Sequence, residues 1–149
     1  MKKIFLVLVF VHIVLMGCSF QDNPNEDVEV ESDIPFQIVN NVQFNFWIKE
    51  KAPQGIWFSE TMANTRNKSR VERFDYGDKT YLLISSGEKP TGFYEVVLKK
   101  VINEEDFIKI FVEDRPPQRD EVPDVMENPR LLMFFERTDK EILLEWPLS

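Results

Sequence analysis

Three apolar runs near the middle of the chain decide its fold: TYLLIS at residues 80–85, FYEVVLKKVI at 93–102 and FIKIFV at 107–112. They are rich in β-branched and aromatic residues, which is typical of strands. Asn103–Asp106 separates the last two runs and predicts a hairpin turn. The run at 93–102 is apolar on both faces, so we expect a central strand that is covered on both sides.

The pattern is less regular on the N-terminal side of these runs. Asn40–Lys51 fits either a short strand or a short helix with an asparagine cap. Gly55–Phe58 predicts a short strand, Thr61–Ser69 a polar loop, and Val71–Tyr76 a further strand.

On the C-terminal side, Arg115–Asn128 holds three prolines among charged residues and predicts a long loop. Leu131–Glu136 and Glu141–Trp146 then predict a closing hairpin. The chain therefore predicts a mainly β domain, an antiparallel sandwich or an open barrel. If 40–51 is helical, it is an α+β domain with one short N-terminal helix.

The N-terminus has the pattern of a secretory signal peptide, because Lys2 and Lys3 precede an apolar run that is too short to span a bilayer comfortably. The run ends in Leu15-Met16-Gly17-Cys18, which resembles the lipobox of bacterial lipoproteins. That resemblance implies cleavage before Cys18 and attachment of a lipid carrying fatty-acyl chains such as palmitate to its thiol. The alternatives are an ordinary signal peptide with a chance cysteine, or an N-terminal membrane anchor.

We therefore divide the chain into three parts. Residues 1–17 are predicted to be the signal peptide, and residues 18–34 a lipidated cysteine with an acidic, disordered tether. Between positions 19 and 34 there are six acids and no base, which is the composition of a self-repelling segment. Residues 35–149 form a single domain. The predicted localisation is the extracytoplasmic face of the cell membrane, or an outer membrane where the cell has two.

Several function classes are excluded for a chain that begins at Cys18. Its formal charge is −10, its only thiol is the lipidated one, and its only histidine, His12, has been removed. Catalysis through Cys–His or Ser–His pairs and a zinc site of the usual ligands are thereby excluded, and we expect no metal and no cofactor. The acidic balance argues against nucleic acid as a partner. Paired carboxylates at Glu113–Asp114 or Asp120–Glu121 are the remaining catalytic option, but adjacent acids there are typical of solvated charge, so we predict that the chain is not an enzyme.

The candidate binding site is the loop between the first two runs. Two glycines that permit positive φ and a stiffening proline make it a good connecting turn in any case. Its residues are Gly87, Glu88, Lys89, Pro90, Thr91, Gly92, Phe93 and Tyr94.

With its flanking strands this loop, in TYLLISSGEKPTGFYEVVLKKV, resembles the signature of the PrcB-like family. The family pattern is a strand, a G-E-x-P-T-G-G-Y loop, a long strand, and then a proline-rich stretch that leads to a proline and a final strand pair. Arg115-Pro116-Pro117 and Val125-Met126-Glu127-Asn128-Pro129 fall in that order here. The resemblance covers residues 80–135.

This resemblance implies a small extracytoplasmic domain that accompanies a protease complex as a non-catalytic lipoprotein partner. We therefore predict a membrane-anchored binding module whose loop contacts an envelope protein, with a protease among the candidates. Phe93 replaces the second glycine of the family loop, and its bulk is expected to alter the tip of the loop or to bury it against the domain.

Two other functions remain open from the sequence. The P-T-G-Y element is similar to the inhibitory loop of chagasin-type cysteine-protease inhibitors, which present it from an immunoglobulin-like sandwich. A ligand-binding sandwich that takes a sugar or lipid on Trp47, Trp57, Phe58 and Phe93 is the other alternative.

Overall fold

The computed structural model describes residues 30–64, 69–118 and 124–146, where the chain forms two four-stranded sheets and two helices. Residues 1–29, with the predicted signal peptide and Cys18, lie outside the described residues. In chain order the elements are β1 (Glu31–Ser32), β2 (Phe36–Ile38), α1 (Asn41–Lys49), α2 (Pro53–Asn64), β3 (Ser69–Tyr76), β4 (Lys79–Ser86), β5 (Glu95–Asn103), β6 (Phe107–Arg115), β7 (Arg130–Glu136) and β8 (Glu141–Glu145).

The two sheets pack face to face as a sandwich. Sheet A has the order β1-β5-β6-β8 and sheet B the order β2-β7-β4-β3. Their facing sides enclose the core, which consists of Leu82, Ile84, Val96, Leu98, Val101, Ile108, Ile110, Val112, Leu131, Met133 and Phe135. The prediction of a mainly β, sandwich-like α+β domain is confirmed.

The segment at 40–51, which fitted either a strand or a helix, forms helix α1. The N-terminal cap of the helix explains this outcome. The side chain of Asn40 accepts a hydrogen bond from the Gln43 backbone N–H at 2.9 Å, and the Gln43 side chain accepts one from the Asn40 N–H at 3.2 Å. This reciprocal capping box fixes a helix start. The ring of Trp47 then packs 5.6 Å from Tyr81 and 6.4 Å from Phe134, so α1 covers the outer face of sheet B.

Helix α2 replaces the strand that we predicted at Gly55–Phe58. Pro53 occupies its first position, where proline lacks only an N–H that a helix start leaves unpaired. Gly55 allows the close approach to α1, since a Cβ there would lie 3.0 Å from the backbone carbon of Trp47. The ring of Trp57 stacks on Phe74 of β3 at 5.3 Å, so the apolar residues that suggested a strand serve as the inner face of a helix.

The strand that both layers cover is β4, not β5. All residues of β4 from Thr80 to Ser86 are buried, because the helices cover one face and sheet A the other. β5 does lie inside its sheet, but only one of its faces is buried and Val97 and Ile102 stay half-exposed. A bulge between Leu98 and Lys100 changes the alternation and brings Leu98 and Val101 to the same face.

The closing hairpin that we predicted at 131–146 is wrong. β7 pairs with β4 and β2 in sheet B, whereas β8 pairs in parallel with β6 in sheet A. Residues 137–140 therefore cross from one sheet to the other. Both strands are short apolar runs separated by a polar, turn-like segment, which explains why their sequences suggested neighbours in a single sheet.

The ordered domain begins before residue 35, the boundary predicted for the disordered segment. Glu31 and Ser32 pair in parallel with Lys100 and Val101 of β5, and the Glu31 and Lys100 side chains form an ion pair at 2.6 Å. Val30 and Ile34 pack against the core, which supplies the apolar burial that the acids around them do not. In the described residues neither helix has the length and hydrophobicity that crossing a membrane requires.

Arg73 of β3 holds the crossover at 137–140 in place. Its Nη1 donates to the Lys140 carbonyl at 2.8 Å, and its Nη2 donates to the carbonyl of Thr138. Its Nε lies 3.0 and 3.1 Å from the two oxygens of Asp75, which also accepts from the Thr80 hydroxyl at 2.7 Å. Burial alone would raise the pKa of the Asp75 carboxyl, but these hydrogen bonds and the charges of Arg73 and Arg137 hold that pKa below its ordinary value.

We predict that Asp75→Asn makes the free energy of unfolding less dependent on pH in the acid range. The contribution of Asp75 is present above the pKa of the unfolded chain, about 3.9, and is lost as pH falls through the lower pKa of the folded state. The variant should therefore be less stable than the wild type at neutral pH, and the difference should shrink below about pH 4. Urea unfolding of the full chain in detergent micelles, followed by tryptophan fluorescence, measures this.

The matched control is Asp78→Asn, because the Asp78 side chain is 86% exposed. It should change the free energy of unfolding at neutral pH by less than about 0.5 kcal/mol. A stability difference for Asp75→Asn that stays constant down to pH 3 would contradict the role given to this carboxylate.

Candidate functional site

The binding loop, residues 87–94, joins β4 of sheet B to β5 of sheet A and so crosses one end of the sandwich. Gly87 has a φ of 87°, which a glycine adopts without strain. Gly87 and Gly92 are both buried, whereas Glu88, Pro90 and Phe93 between and beside them are exposed. The loop is therefore anchored at its glycines and presents the residues between them.

A second segment, Glu127–Pro129, holds the binding loop from the side, and we call it the clamp. Its Glu127 forms a two-way backbone bridge with Lys89: the Lys89 N–H donates at 2.7 Å and the Glu127 N–H donates back at 3.2 Å. The Ser86 N–H donates to the Pro129 carbonyl at 3.1 Å. These bonds extend sheet-like pairing from β7 into the loop.

Asn128 contributes its side chain to the same attachment. Its Oδ1 accepts from the Ser85 hydroxyl at 2.8 Å and from the Gly87 N–H at 3.1 Å. One amide oxygen therefore satisfies both the end of β4 and the first residue of the loop. Because backbone donors at this partly buried turn need acceptors, Asn128 determines where the loop begins.

The middle of the loop is held by Lys89. Its ammonium group forms an ion pair with Asp114 of β6, and it lies 5.8 Å from the centre of the Tyr94 ring. The two charged side chains are only 21% and 25% exposed, so water screens this pair less than a surface salt bridge. The loop is thus fixed to sheet A as well as to the clamp.

Phe93 has a backbone conformation that glycine adopts more readily than any other residue. Its φ is 65°, in the left-handed region that L side chains rarely adopt, and its N–H donates to Glu127 Oε2 at 2.9 Å. The expectation that Phe93 alters the tip or buries it is therefore wrong on burial, because the residue is 48% exposed. Val125 and Met126, which directly precede Glu127, are 60% and 66% exposed.

An open groove of about 480 Å³ lies next to the exposed side chain of Met126. One wall is the end of α2, with Met62 and Ala63, and the other consists of Glu88 and the clamp. Arg130, the first residue of β7, lies in its floor. Sequence reasoning placed none of the residues Glu127, Asn128 and Arg130 in the site, although a polar residue before a proline and a buried strand was a usable signal for Asn128.

The other residues that the sequence suggested do not join this site. Trp47 and Trp57 pack between the helices and sheet B, and Phe58 packs against Phe44 at 4.2 Å. Of the proposed aromatic surface, only Phe93 is largely exposed. Glu113 pairs with Lys99 at 2.7 Å.

Asp120 and Glu121 fall outside the described residues, while Asp114, as noted, pairs with Lys89. Within the described part of the chain, no three acidic, cysteine or histidine side chains are arranged to hold a metal ion. This end of the sandwich presents exposed apolar side chains, a hydrogen-bonded loop and a groove.

We predict that Phe93→Gly is more stable than Phe93→Ala by about 1 kcal/mol or more, because both remove the ring and only glycine relieves the left-handed strain. Thermal or urea unfolding of the two variants measures the difference. The same pair of substitutions at Ile56, within α2, should give the opposite sign, since glycine weakens a helix by about 1 kcal/mol relative to alanine. Equal stabilities at Phe93 would contradict the strained backbone.

The family model of the PrcB C-terminal domain matches residues 80–130, a stretch that begins in β4 and ends at Arg130. No curated protein and no solved structure matches the chain. The matched stretch contains both the binding loop and the clamp, which are joined by the hydrogen bonds described above. Residues 80–130 are therefore similar to the PrcB C-terminal domain.

Proposed function

We propose that this chain is a lipid-anchored extracytoplasmic protein whose PrcB-like domain binds another protein without catalysing a reaction. The family match suggests a subunit associated with a protease complex. An envelope protease, or a protein that assembles with one, is therefore the partner class that we favour. The observation that carries the proposal is the binding loop, which is fixed at both ends and presents exposed apolar side chains.

The rigidity of the loop supports a binding role. Lys89 attaches the loop to β6, Asn128 of the clamp accepts from its first residue and Glu127 pairs with its backbone, so little further ordering is needed when a partner docks. Ordering an interface segment costs affinity, and a segment that is already ordered avoids this cost.

The chemistry of the exposed residues supports the same role. Phe93, Val125 and Met126 are about half to two-thirds exposed, and they belong to segments that hydrogen-bond to each other. Aromatic residues and methionine are enriched at protein interfaces. The exposed acids nearby supply the polar rim that such interfaces usually have.

The pairing of the acids supports a non-catalytic role. Glu113 and Asp114, the adjacent carboxylates of β6, each form an ion pair with a lysine, Lys99 and Lys89. A general acid or base needs a proton-transfer partner in a cleft, and paired carboxylates in strand ladders serve structure instead.

The N-terminal sequence supports the anchor. Cys18 ends a lipobox-like stretch, and residues 19–29 contain four acids and no base. The rule for flexible linkers gives roughly 20 Å for a predicted tether of this length. That spacing places the domain near the membrane and free to reach an envelope partner.

We predict that the binding loop is required for capture of the partner. The full chain with a C-terminal tag is cross-linked in cells, and captured proteins are quantified by mass spectrometry. Phe93→Ser or Met126→Ser should lower recovery of the partner about tenfold or more, as expected for interface anchor residues. The matched control is Ile56→Ser, because Ile56 is 50% exposed and lies on α2, away from the loop. Recovery that is unchanged in both loop variants, or equally reduced in the control, would contradict the loop's role.

We also predict that Cys18→Ala abolishes lipid attachment. Without the thiol no acyl chain can be added, so the variant should stay uncleaved or appear in the soluble fraction. Metabolic labelling with a palmitate analogue and membrane fractionation measure both outcomes. Cys18→Ser is the stricter variant because it keeps the size of the side chain. A cleaved, membrane-bound Cys18→Ala protein would rule out the lipid anchor.

A further inference from the structure

Two arginines lie side by side in one row that runs across the strands at the end of sheet B. Arg70 of β3, Ser85 of β4 and Arg130 of β7 are register partners, so their side chains leave the same face. This is the face that the helices cover, as the contact of Tyr81 with Trp47 shows. Since adjacent strands are about 4.8 Å apart, the two arginines begin about 10 Å apart.

The charges of these two arginines are balanced differently. Arg70 forms an ion pair with Glu72. Arg130 forms no ion pair with any acid in residues 30–64, 69–118 and 124–146. Its Nη1 donates to the backbone carbonyl of Asn128 at 3.1 Å, and its buried Nε has no hydrogen-bond partner within the described part of the chain.

The environment of Arg130 is costly without a ligand. Burial lowers the pKa of the guanidinium, which is the direction expected when a cation leaves water without a counter-charge. A buried donor without an acceptor also destabilises the folded state. An arginine in this condition is suited to an acceptor that arrives with a ligand.

The groove determines which ligand fits. Arg130 forms its floor, while Met62, Ala63 and Met126 supply apolar surface on its walls. The guanidinium fork matches the planar geometry of a carboxylate, with two parallel N–H···O bonds. The combination favours a carboxylate on an apolar stem.

The acids of the groove exclude more highly charged ligands. Glu88 is exposed at one wall, and Glu127 lies on the same side with its Oε2 accepting from the Phe93 N–H. Two nearby negative charges repel a phosphate dianion more strongly than a single carboxylate. The site therefore selects a monoanion with a hydrophobic neighbour, which is the chemistry of an acidic side chain or chain terminus in a peptide.

We propose that Arg130 binds a carboxylate of the protein partner, carried on an extended segment that lies in the groove beside the binding loop. This rests on the proposed function in taking the occupant to be the partner. The segment places its carboxylate on Arg130 and an adjacent apolar side chain against Met62 and Met126. Arg130 is then the residue that recognises the partner's charge.

The test uses defined peptides and the ¹⁵N-labelled full chain in detergent micelles. The Arg130 Nε–Hε signal is followed by NMR during titration with acetyl-Leu-Glu-amide, which has an internal carboxylate, and acetyl-Gly-Leu with a free C-terminus. Acetyl-Leu-Gln-amide is the neutral isostere. We expect saturable shifts with a carboxylate probe and none with the neutral one, and the tighter of the two carboxylate probes identifies its source.

Two variants complete the test. Arg130→Gln should weaken binding of the better probe about tenfold or more, as expected for a lost charge-assisted pair, while Arg137→Gln at the opposite end of the sandwich should leave it unchanged. If Arg130→Gln does not fold, the comparison of acidic and neutral probes on the wild type still decides. Equal binding of acidic and neutral probes, or tighter binding of inorganic phosphate, would overturn the carboxylate site.

Partner capture separates the inference from the proposed function. If the cross-linked partner is recovered equally well by wild type and Arg130→Gln, the groove is not where it binds and the inference fails while the function stands. If no partner is captured by any form but the acidic peptide binds through Arg130, the site stands and the proposed function fails.

Discussion

The fold depends on the burial of β4 on both of its faces. From Thr80 to Ser86 no residue of this strand reaches solvent to a significant degree, so both layers around it must be present. One face needs sheet A and the other needs the two helices, which attach through Trp47 and Trp57. The sandwich and the helical layer are therefore one cooperative unit, in which neither covering layer can be lost without exposing the central apolar strand.

The same strand explains why the candidate site lies where it does. β4 ends at Ser86 in sheet B, and the chain must reach sheet A within the binding loop. A loop that crosses the open end of a sandwich lacks strand partners for its backbone, and the clamp supplies them through Glu127 and Asn128. The hydrogen bonds that pair the backbone of the loop also hold its exposed residues in place. The segment that the fold has to fix and the proposed binding surface therefore lie at the same end of the molecule.

The elements that were predicted correctly are those that a local pattern of apolar residues encodes. β3, β4, β5 and β6 were found because each is a short run rich in β-branched and aromatic residues that is bounded by turn residues. α2 was missed because Gly55–Phe58 is too short to distinguish a helix from a strand by periodicity, and the choice depends on Pro53 and on the packing of Trp57.

The pairing of β8 with β6, and the clamp, depend on contacts between residues far apart in the chain. The Asn128–Gly87 hydrogen bond joins positions that are 41 residues apart. Of the candidate site, the loop itself was identified from its own residues, while the clamp and Arg130 required the fold.

The pairing of β4 with β7 also governs when the domain can form. One neighbour of β4 is β3, which precedes it, but the other is β7, which begins only at Arg130. Until that late segment has been synthesised, the most buried strand of the described residues lacks half of its hydrogen-bonding partners. Such long-range pairing folds slowly and leaves apolar segments exposed in the meantime. Sheet B of this domain therefore stays open during most of the synthesis of the chain and closes only when β7 arrives, so this late strand acts as the trigger of folding.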